Sequence, residues 1–212
     1  MPRSYRAAFI FVLMAPNSRS SLTRSASRTG KQVTRSLKTQ VTMLGTAMGA
    51  FWVTFVLNTM LGGALNQFGV IPRTTVGLRG ILFAPFLHGN LNHLIANTLP
   101  FLALGWMVML RDARHFVPVT LFSMLGAGLM AWTLGAPGSV HIGASGVVFG
   151  YLGFLLLAGV YTRSFWSIVL SLVTAGLWGG LVLGIAPGQA GISWQAHLGG
   201  FIGGILAARR YR

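Results

Sequence analysis

Residues 145–161 read SGVVFGYLGFLLLAGVY, a segment that contains no charged side chain. As an α-helix it would rise about 24 Å, which approaches the hydrocarbon thickness of about 30 Å in a typical bilayer. Similar apolar segments fill most of the chain from 41 to 208. This pattern predicts an all-α membrane protein.

The composition excludes an ordinary soluble domain. Charged residues make up 8% of the 212 and hydrophobic residues 53%, whereas about 25% of the residues in a soluble domain are charged. The absence of cysteine excludes a disulfide-built scaffold and a cysteine-based metal site. The chain has 16 basic residues and one acidic residue. Because the basic residues lie beside apolar segments, we expect contact with a lipid bilayer and no binding of nucleic acid.

We expect six membrane spans, separated by short breaks that contain proline, glycine or arginine. The longest link, 65–91, has an apolar second half, Ile81–Leu87, which predicts a loop partly embedded in the membrane. The predicted spans are 41–64, 92–110, 115–134, 145–161, 165–185 and 195–208.

A basic tail, residues 1–40, precedes the six-helix membrane domain, residues 41–212. Ser, Thr and Arg dominate much of the tail without helical periodicity, so we expect it to be disordered and cytoplasmic. Its apolar stretch Ala7–Ala15 is too short to span a bilayer. We interpret this stretch as a surface anchor or as part of an overlong gene start, with a signal peptide as the alternative. The Arg-rich, Ser-rich and acid-poor composition of the tail is also typical of an organellar transit peptide. The expected host membrane is a bacterial plasma membrane, with an organellar membrane as the alternative.

The distribution of basic residues predicts that both termini are cytoplasmic. In this orientation two arginines, Arg73 and Arg79, lie in outside loops. The positive-inside rule supports an even number of spans, because an odd number would place the basic C-terminus outside. The other basic residues lie inside: eight in the tail, and Arg111, Arg114, Arg163, Arg209, Arg210 and Arg212.

Ser145 lies in the segment His141–Gly150, at the outer end of the fourth span. The segment is not the nucleophile elbow of α/β-hydrolases, because Val147 stands where G-x-S-x-G requires glycine. At a helix N-terminus, backbone N–H groups and the helix dipole would face an incoming oxyanion. Taken alone, Ser145 is better interpreted as an N-cap.

His197 lies in the sixth span, within Trp194–Gly200. A lone histidine in a membrane can form a helix–helix hydrogen bond. Glycines at four-residue spacing also lie near Ser145 and His197, and this spacing allows two helices to approach closely. Close packing of the fourth and sixth spans would bring the hydroxyl and the imidazole within hydrogen-bonding distance. The glycine pairs are Gly146–Gly150, Gly199–Gly203 and Gly200–Gly204.

A third polar group, His88, His93 and Asn97, lies at the start of the second span. His93 and Asn97 are four residues apart and share a helix face, whereas His88 does not. The two side chains are therefore candidates to stabilise developing negative charge. A metal site built from His88, His93, His141 and His197 is the disfavoured alternative, because no cysteine or nearby carboxylate would complete it.

Taken together, these three groups resemble the rhomboid family of intramembrane serine proteases over residues 41–212. Their order and their positions on spans two, four and six match the family pattern. The matching motifs are H-x4-H-x3-N (His88, His93, Asn97), G-x-S-G (Gly143, Ser145, Gly146) and A-H-x-x-G (Ala196, His197, Gly200).

The resemblance implies a six-helix bundle around a water-filled cavity that opens to the outside. Ser145 would be the nucleophile and His197 the general base and acid of a Ser–His dyad that needs no metal or cofactor. The backbone N–H of Ser145, His93 and Asn97 would form the oxyanion hole, and transmembrane proteins would be the substrates. Site-supporting roles would fall to His88, Gly143, Gly146, Phe149 and Gly200.

The sequence departs from the family pattern at two places. The loop Gly69–Gly80 lacks the Trp-Arg pair of many members, and Phe149 replaces a common tyrosine. With no third catalytic group, packing and the ring of Phe149 are expected to set the tautomer of His197. The alternatives to a protease are a catalytically inactive rhomboid-like protein that binds membrane clients and a small transporter.

Overall fold

The computed structural model describes residues 18–189 and 191–211, with side chains from Leu37 onward. Six long helices make up most of this part of the chain. Contacts divide the chain into two units, with the boundary between Thr39 and Gln40. The helix bundle belongs to the second unit, which begins at Gln40. The helices are α1 (Ser18–Met60), α2 (Leu91–Arg111), α3 (Phe116–Leu134), α4 (Ser145–Thr162), α5 (Phe165–Trp178) and α6 (Trp194–Arg210).

Five helical segments are long and apolar enough to cross a membrane, and they agree with the first five predicted spans to within a few residues. The prediction of an all-α membrane protein is therefore confirmed. The sixth helix, α6, has 17 residues and a glycine-rich buried face. Small residues favour close helix contact but add little hydropathy. The five segments are Leu37–Met60, Leu91–Arg111, Ala113–Leu134, Ser145–Thr162 and Phe165–Ile185.

The expectation of a disordered tail is wrong from Ser18 onward, where α1 begins. Once a helix is nucleated, each further residue adds a hydrogen bond, and Ser, Thr, Arg and Lys cost only fractions of a kcal/mol relative to alanine. Polar residues can therefore continue a helix whose apolar part favours it. The Ala7–Ala15 stretch lies outside the described residues.

Helix α4 is the centre of the bundle, with twelve of its 18 residues buried. It packs against α6 through backbone contact. A Cβ atom added at Gly200 would overlap the carbonyl oxygen of Gly146, and one at Gly204 would overlap that of Gly150. Only glycine allows two helix backbones to approach this closely, so the predicted glycine packing of the fourth and sixth spans is present.

A neighbouring face of α6, one residue away, packs against α3 in the same manner. A Cβ atom at Gly199 would overlap the carbonyl oxygen of Gly126, and one at Gly203 would overlap that of Phe122. Helix α6 therefore lies between two helix backbones. By contrast, α5 has one buried residue, Thr174, and lies at the periphery.

The link between α1 and α2 is fixed to the C-terminal end of α3 and to the segment before α4. Val70 and His141 exchange two backbone hydrogen bonds of 2.9 Å. The Arg73 N–H donates to the Trp132 carbonyl at 3.0 Å, and the indole N–H of Trp132 donates to the Thr74 carbonyl at 2.8 Å. Trp132 on α3 thus anchors this loop, which contains no tryptophan.

We expect Gly204→Ala to lower the melting temperature of the detergent-solubilised protein. The added methyl group would push α6 away from α4, and overpacking of this kind costs about 1–3 kcal/mol. The matched control is Gly176→Ala on α5, where an added Cβ meets nothing within 4 Å. Equal melting temperatures for the two variants would contradict the proposed role of the α4–α6 contact.

Candidate active site

Ser145 is the first residue of α4, and its hydroxyl lies 2.8 Å from Nε2 of His197. The N-cap position belongs to Ala144, which makes no side-chain cap. The interpretation of Ser145 as a simple N-cap is therefore wrong, since its side chain faces another helix. The hydrogen bond joins residues 52 positions apart and depends on the contact between α4 and α6.

The carbonyl of Gly184 determines the tautomer of His197. It lies 2.9 Å from Nδ1, and because a carbonyl can only accept, Nδ1 carries the proton. In the neutral ring Nε2 is then free to accept the Ser145 O–H. The Phe149 ring stacks on the imidazole at a centroid distance of 4.1 Å and an interplanar angle of 11°. The expectation that packing and the Phe149 ring set the tautomer of His197 is corrected, since the Gly184 carbonyl accepts a hydrogen bond from Nδ1 as a third group.

His93 and Asn97 line the same cavity of about 720 Å³ as Ser145 and His197. Asn97 donates one N–H of its amide to the His93 carbonyl at 2.9 Å, which leaves the second N–H for another acceptor. Asn90 caps α2 by accepting the N–H of His93 at 2.8 Å. The structure therefore brings all four polar side chains of the predicted site to one cavity.

Apart from Phe149, the predicted supporting residues fall into two groups, glycines at close contacts and a buried histidine. Gly143 has a φ of +115°, and a Cβ there would lie 2.5 Å from Nε2 of His93. Gly146 and Gly200 lie at the contact between α4 and α6. Glycine at these positions brings the serine segment close to α2 and α6.

His88 lies behind the site and does not line the cavity. It is fully buried, with the Phe51 ring at 5.6 Å and the His93 ring at 5.2 Å. Burial, with a smaller contribution from the nearby His93, lowers the pKa of His88 to about 4. A neutral His88 therefore packs against the ring of His93, and its organising role stays a prediction.

His141 forms a polar network that the sequence analysis missed. The Ser139 hydroxyl donates to the Ala136 carbonyl at 2.6 Å, so its oxygen accepts the Nε2–H of His141 at 3.0 Å. Nδ1 then accepts the hydroxyl of Ser193 at 2.6 Å. Burial lowers the pKa of His141, which favours this neutral form.

This network connects the segment before Ser145 to the start of α6, because Ser193 is the N-cap of that helix. No local sequence signal predicts a contact between residues 52 positions apart. Among residues 18–189 and 191–211, no three His, Asp or Glu side chains converge on a potential metal position.

Comparison with known proteins agrees with this geometry. The Rhomboid domain model matches residues 76–211. Uncharacterised proteins of Mycobacterium tuberculosis and Mycobacterium bovis are each 41% identical over 175 residues, which cover 79% of this chain and 73% of each relative. RHOMBOID-like protein 4 of Arabidopsis thaliana is 29% identical over 133 residues, which cover 59% of this chain and 32% of that protein. The chain therefore belongs to the rhomboid family.

Proposed function

We propose that the protein is an intramembrane serine endopeptidase that cleaves membrane-anchored proteins in or near their transmembrane segments. One observation carries this proposal: the Ser145 hydroxyl lies 2.8 Å from a histidine ring nitrogen that is free to accept its proton. His93 and Asn97 face the same cavity. A serine beside a base that a third group orients is the arrangement of an activated nucleophile.

In the proposed reaction, Ser145 Oγ attacks the substrate carbonyl while Nε2 of His197 takes the hydroxyl proton. The Gly184 carbonyl stabilises the resulting imidazolium through the Nδ1–H bond. The oxyanion would accept hydrogen bonds from the Ser145 N–H, His93 and Asn97, and the loss of one such donor typically costs about 10²–10³ in rate. His197 then protonates the leaving amine, and water hydrolyses the acyl-enzyme.

The substrates would be transmembrane proteins that enter from the bilayer. A helical substrate hides its carbonyls in hydrogen bonds, so it must unwind locally before Ser145 can attack. We therefore expect small or helix-breaking residues near the cleaved bond. This reaction requires no metal or cofactor.

The proposed topology has six spans, with both termini inside and the Ser145 cavity open to the outside. The positive-inside distribution of arginines supports it. The burial of α6 between α3 and α4 also supports a sixth span, because a helix enclosed by two spans shares their depth in the bilayer. The similarity to mycobacterial proteins supports a bacterial plasma membrane.

A fluorophosphonate probe should label the purified wild-type protein at Ser145. Labelling should disappear in Ser145→Ala, and its rate should fall at least about a hundredfold in His197→Ala, because the general base is lost. The control is Ser123→Ala, which removes a buried hydroxyl that bonds only within α3. Thermal melts would show that all variants fold. A folded wild type that is not labelled, even in lipid, would favour the client-binding alternative.

The role of Phe149 can be separated from that of Gly184. Phe149→Leu should slow labelling by up to about tenfold, since an aromatic stack contributes about 0.5–1.5 kcal/mol. Phe149→Tyr should keep the wild-type rate because the ring remains. An unchanged rate in folded Phe149→Leu would mean that the Gly184 carbonyl alone is sufficient to orient His197.

The absence of native cysteine allows a direct test of topology with single-cysteine variants in intact cells. An impermeant maleimide should modify Ala136→Cys and Ala186→Cys without lysis. It should modify Ser164→Cys and Arg209→Cys only after lysis. Modification of both Ala186→Cys and Arg209→Cys from the outside would exclude α6 as a span.

A further inference from the structure

A second polar pocket, of about 510 Å³, lies between the C-terminal end of α2 and the N-terminal end of α5. It is far from the serine, because His93 and Arg111 are 18 positions apart on α2, or about 27 Å along the helix. Its polar lining consists of Arg111, Asp112, His115, Ser164 and Ser167. None of these residues takes part in the proposed reaction.

Arg111 has no carboxylate partner. The only acidic residue of the chain is Asp112, and its carboxylate accepts two hydrogen bonds of 3.0 Å and one of 2.6 Å from the Arg114 guanidinium. This side-chain hydrogen bonding lowers the pKa of Asp112 to about 2. Asp112 is therefore ionised and paired with Arg114, and among the described residues no ion pair joins it to Arg111.

Two nitrogen atoms of the lining residues are buried without a hydrogen-bond partner among the described residues, the donor Nη1 of Arg111 and the ring nitrogen Nδ1 of His115. The Arg111 guanidinium lies over the Phe154 ring at 5.3 Å, a contact that offers no hydrogen-bond acceptor of the usual kind. A buried charged donor without an acceptor is costly. The pocket is therefore suited to an anion that accepts hydrogen bonds.

The first turn of α5 adds a second, independent attraction for an anion. This helix has 14 residues, and its N-cap, Ser164, makes no side-chain cap. Its first N–H groups and the positive end of its dipole lie beside the pocket, where Ser164, Trp166 and Ser167 form part of the lining. The cation on α2 and the N-terminus of α5 thus flank one pocket.

The remaining wall of the pocket is apolar. Leu110, Leu170 and Val173 line it, and they lie on segments long and apolar enough to span the bilayer. The ring of Trp166 is 76% exposed at the same end, where tryptophan commonly lies at the headgroup level of a membrane. A free phosphate ion would not use such a wall, whereas an acyl chain would.

We propose that this pocket binds an anionic phospholipid, with its phosphate between Arg111 and the N-terminus of α5 and an acyl chain along the apolar wall. The lipid would connect α2 to the peripheral helix α5. The inference does not depend on the proposed protease activity, because lipid binding can be measured in a protein that cleaves nothing.

The test is the melting temperature of the full-length protein in detergent, titrated with short-chain phosphatidylglycerol, short-chain phosphatidylcholine or inorganic phosphate. Phosphatidylglycerol should raise it most, and native mass spectrometry should detect the bound lipid. Arg111→Gln should weaken the apparent affinity by about tenfold or more, since a charge-assisted hydrogen bond is lost. His115→Phe keeps a ring beside Phe154 and should weaken binding less.

Arg209→Gln is the matched control, because it removes the same charge from an exposed arginine in the last turn of α6 that does not line the pocket. It should leave the affinity unchanged. An equal loss in Arg209→Gln and Arg111→Gln would reduce the effect to general charge attraction and overturn the site. Equal stabilisation by inorganic phosphate or by phosphatidylcholine would overturn the assignment to an anionic lipid.

Discussion

The backbone contact between α4 and α6 is the constraint on which the rest of the site depends. Gly200 faces the Gly146 carbonyl, and Gly204 faces the Gly150 carbonyl, with no room for a methyl group. Ser145 directly precedes one of these contact glycines, and His197 lies three residues before another. Helix packing therefore determines the distance of 2.8 Å between Oγ and Nε2. Glycine lowers the mean hydropathy of α6, and the same glycines allow α6 to lie directly against α4.

The second constraint is electronic and concerns the ring of His197. Its Nδ1–H donates a hydrogen bond to a backbone carbonyl and not to a carboxylate. The single acidic residue of the chain, Asp112, lies at the C-terminal end of α2, whereas His93 and the site lie at the N-terminal end. The Gly184 carbonyl is available because α5 is followed by a 3₁₀ segment, Gly179–Ile185, and Gly184 lies near the end of this segment. The last carbonyls of a helical segment lack partners within it. The irregular end of a peripheral helix thus completes the site in the core.

Much of this arrangement could be predicted from residue type and spacing. Apolar length predicts the spans, and the glycine spacing together with Ser145 and His197 predicts which spans meet. Asn97 and His93 share a face because they lie one helical turn apart. Each of these inferences rests on local geometry, which a sequence records directly.

The missing parts depend on contacts that leave no signature in the sequence. The Gly184 carbonyl acts through its backbone, so the residue type carries no signal. The pairing of His141 with Ser193 joins segments 52 positions apart, and nothing local to either residue predicts it. The helical start of α1 at Ser18 depends on propagation from a stable span, which composition alone does not reveal.

The most direct test is incubation of a single-span test protein with the purified protein in liposomes, followed by mass spectrometry. If the protein is a protease, two fragments should form whose masses add up to that of the test protein plus one water, and none should form with Ser145→Ala. A folded wild type that leaves intact every member of a substrate panel with helix-breaking residues would contradict the proposal.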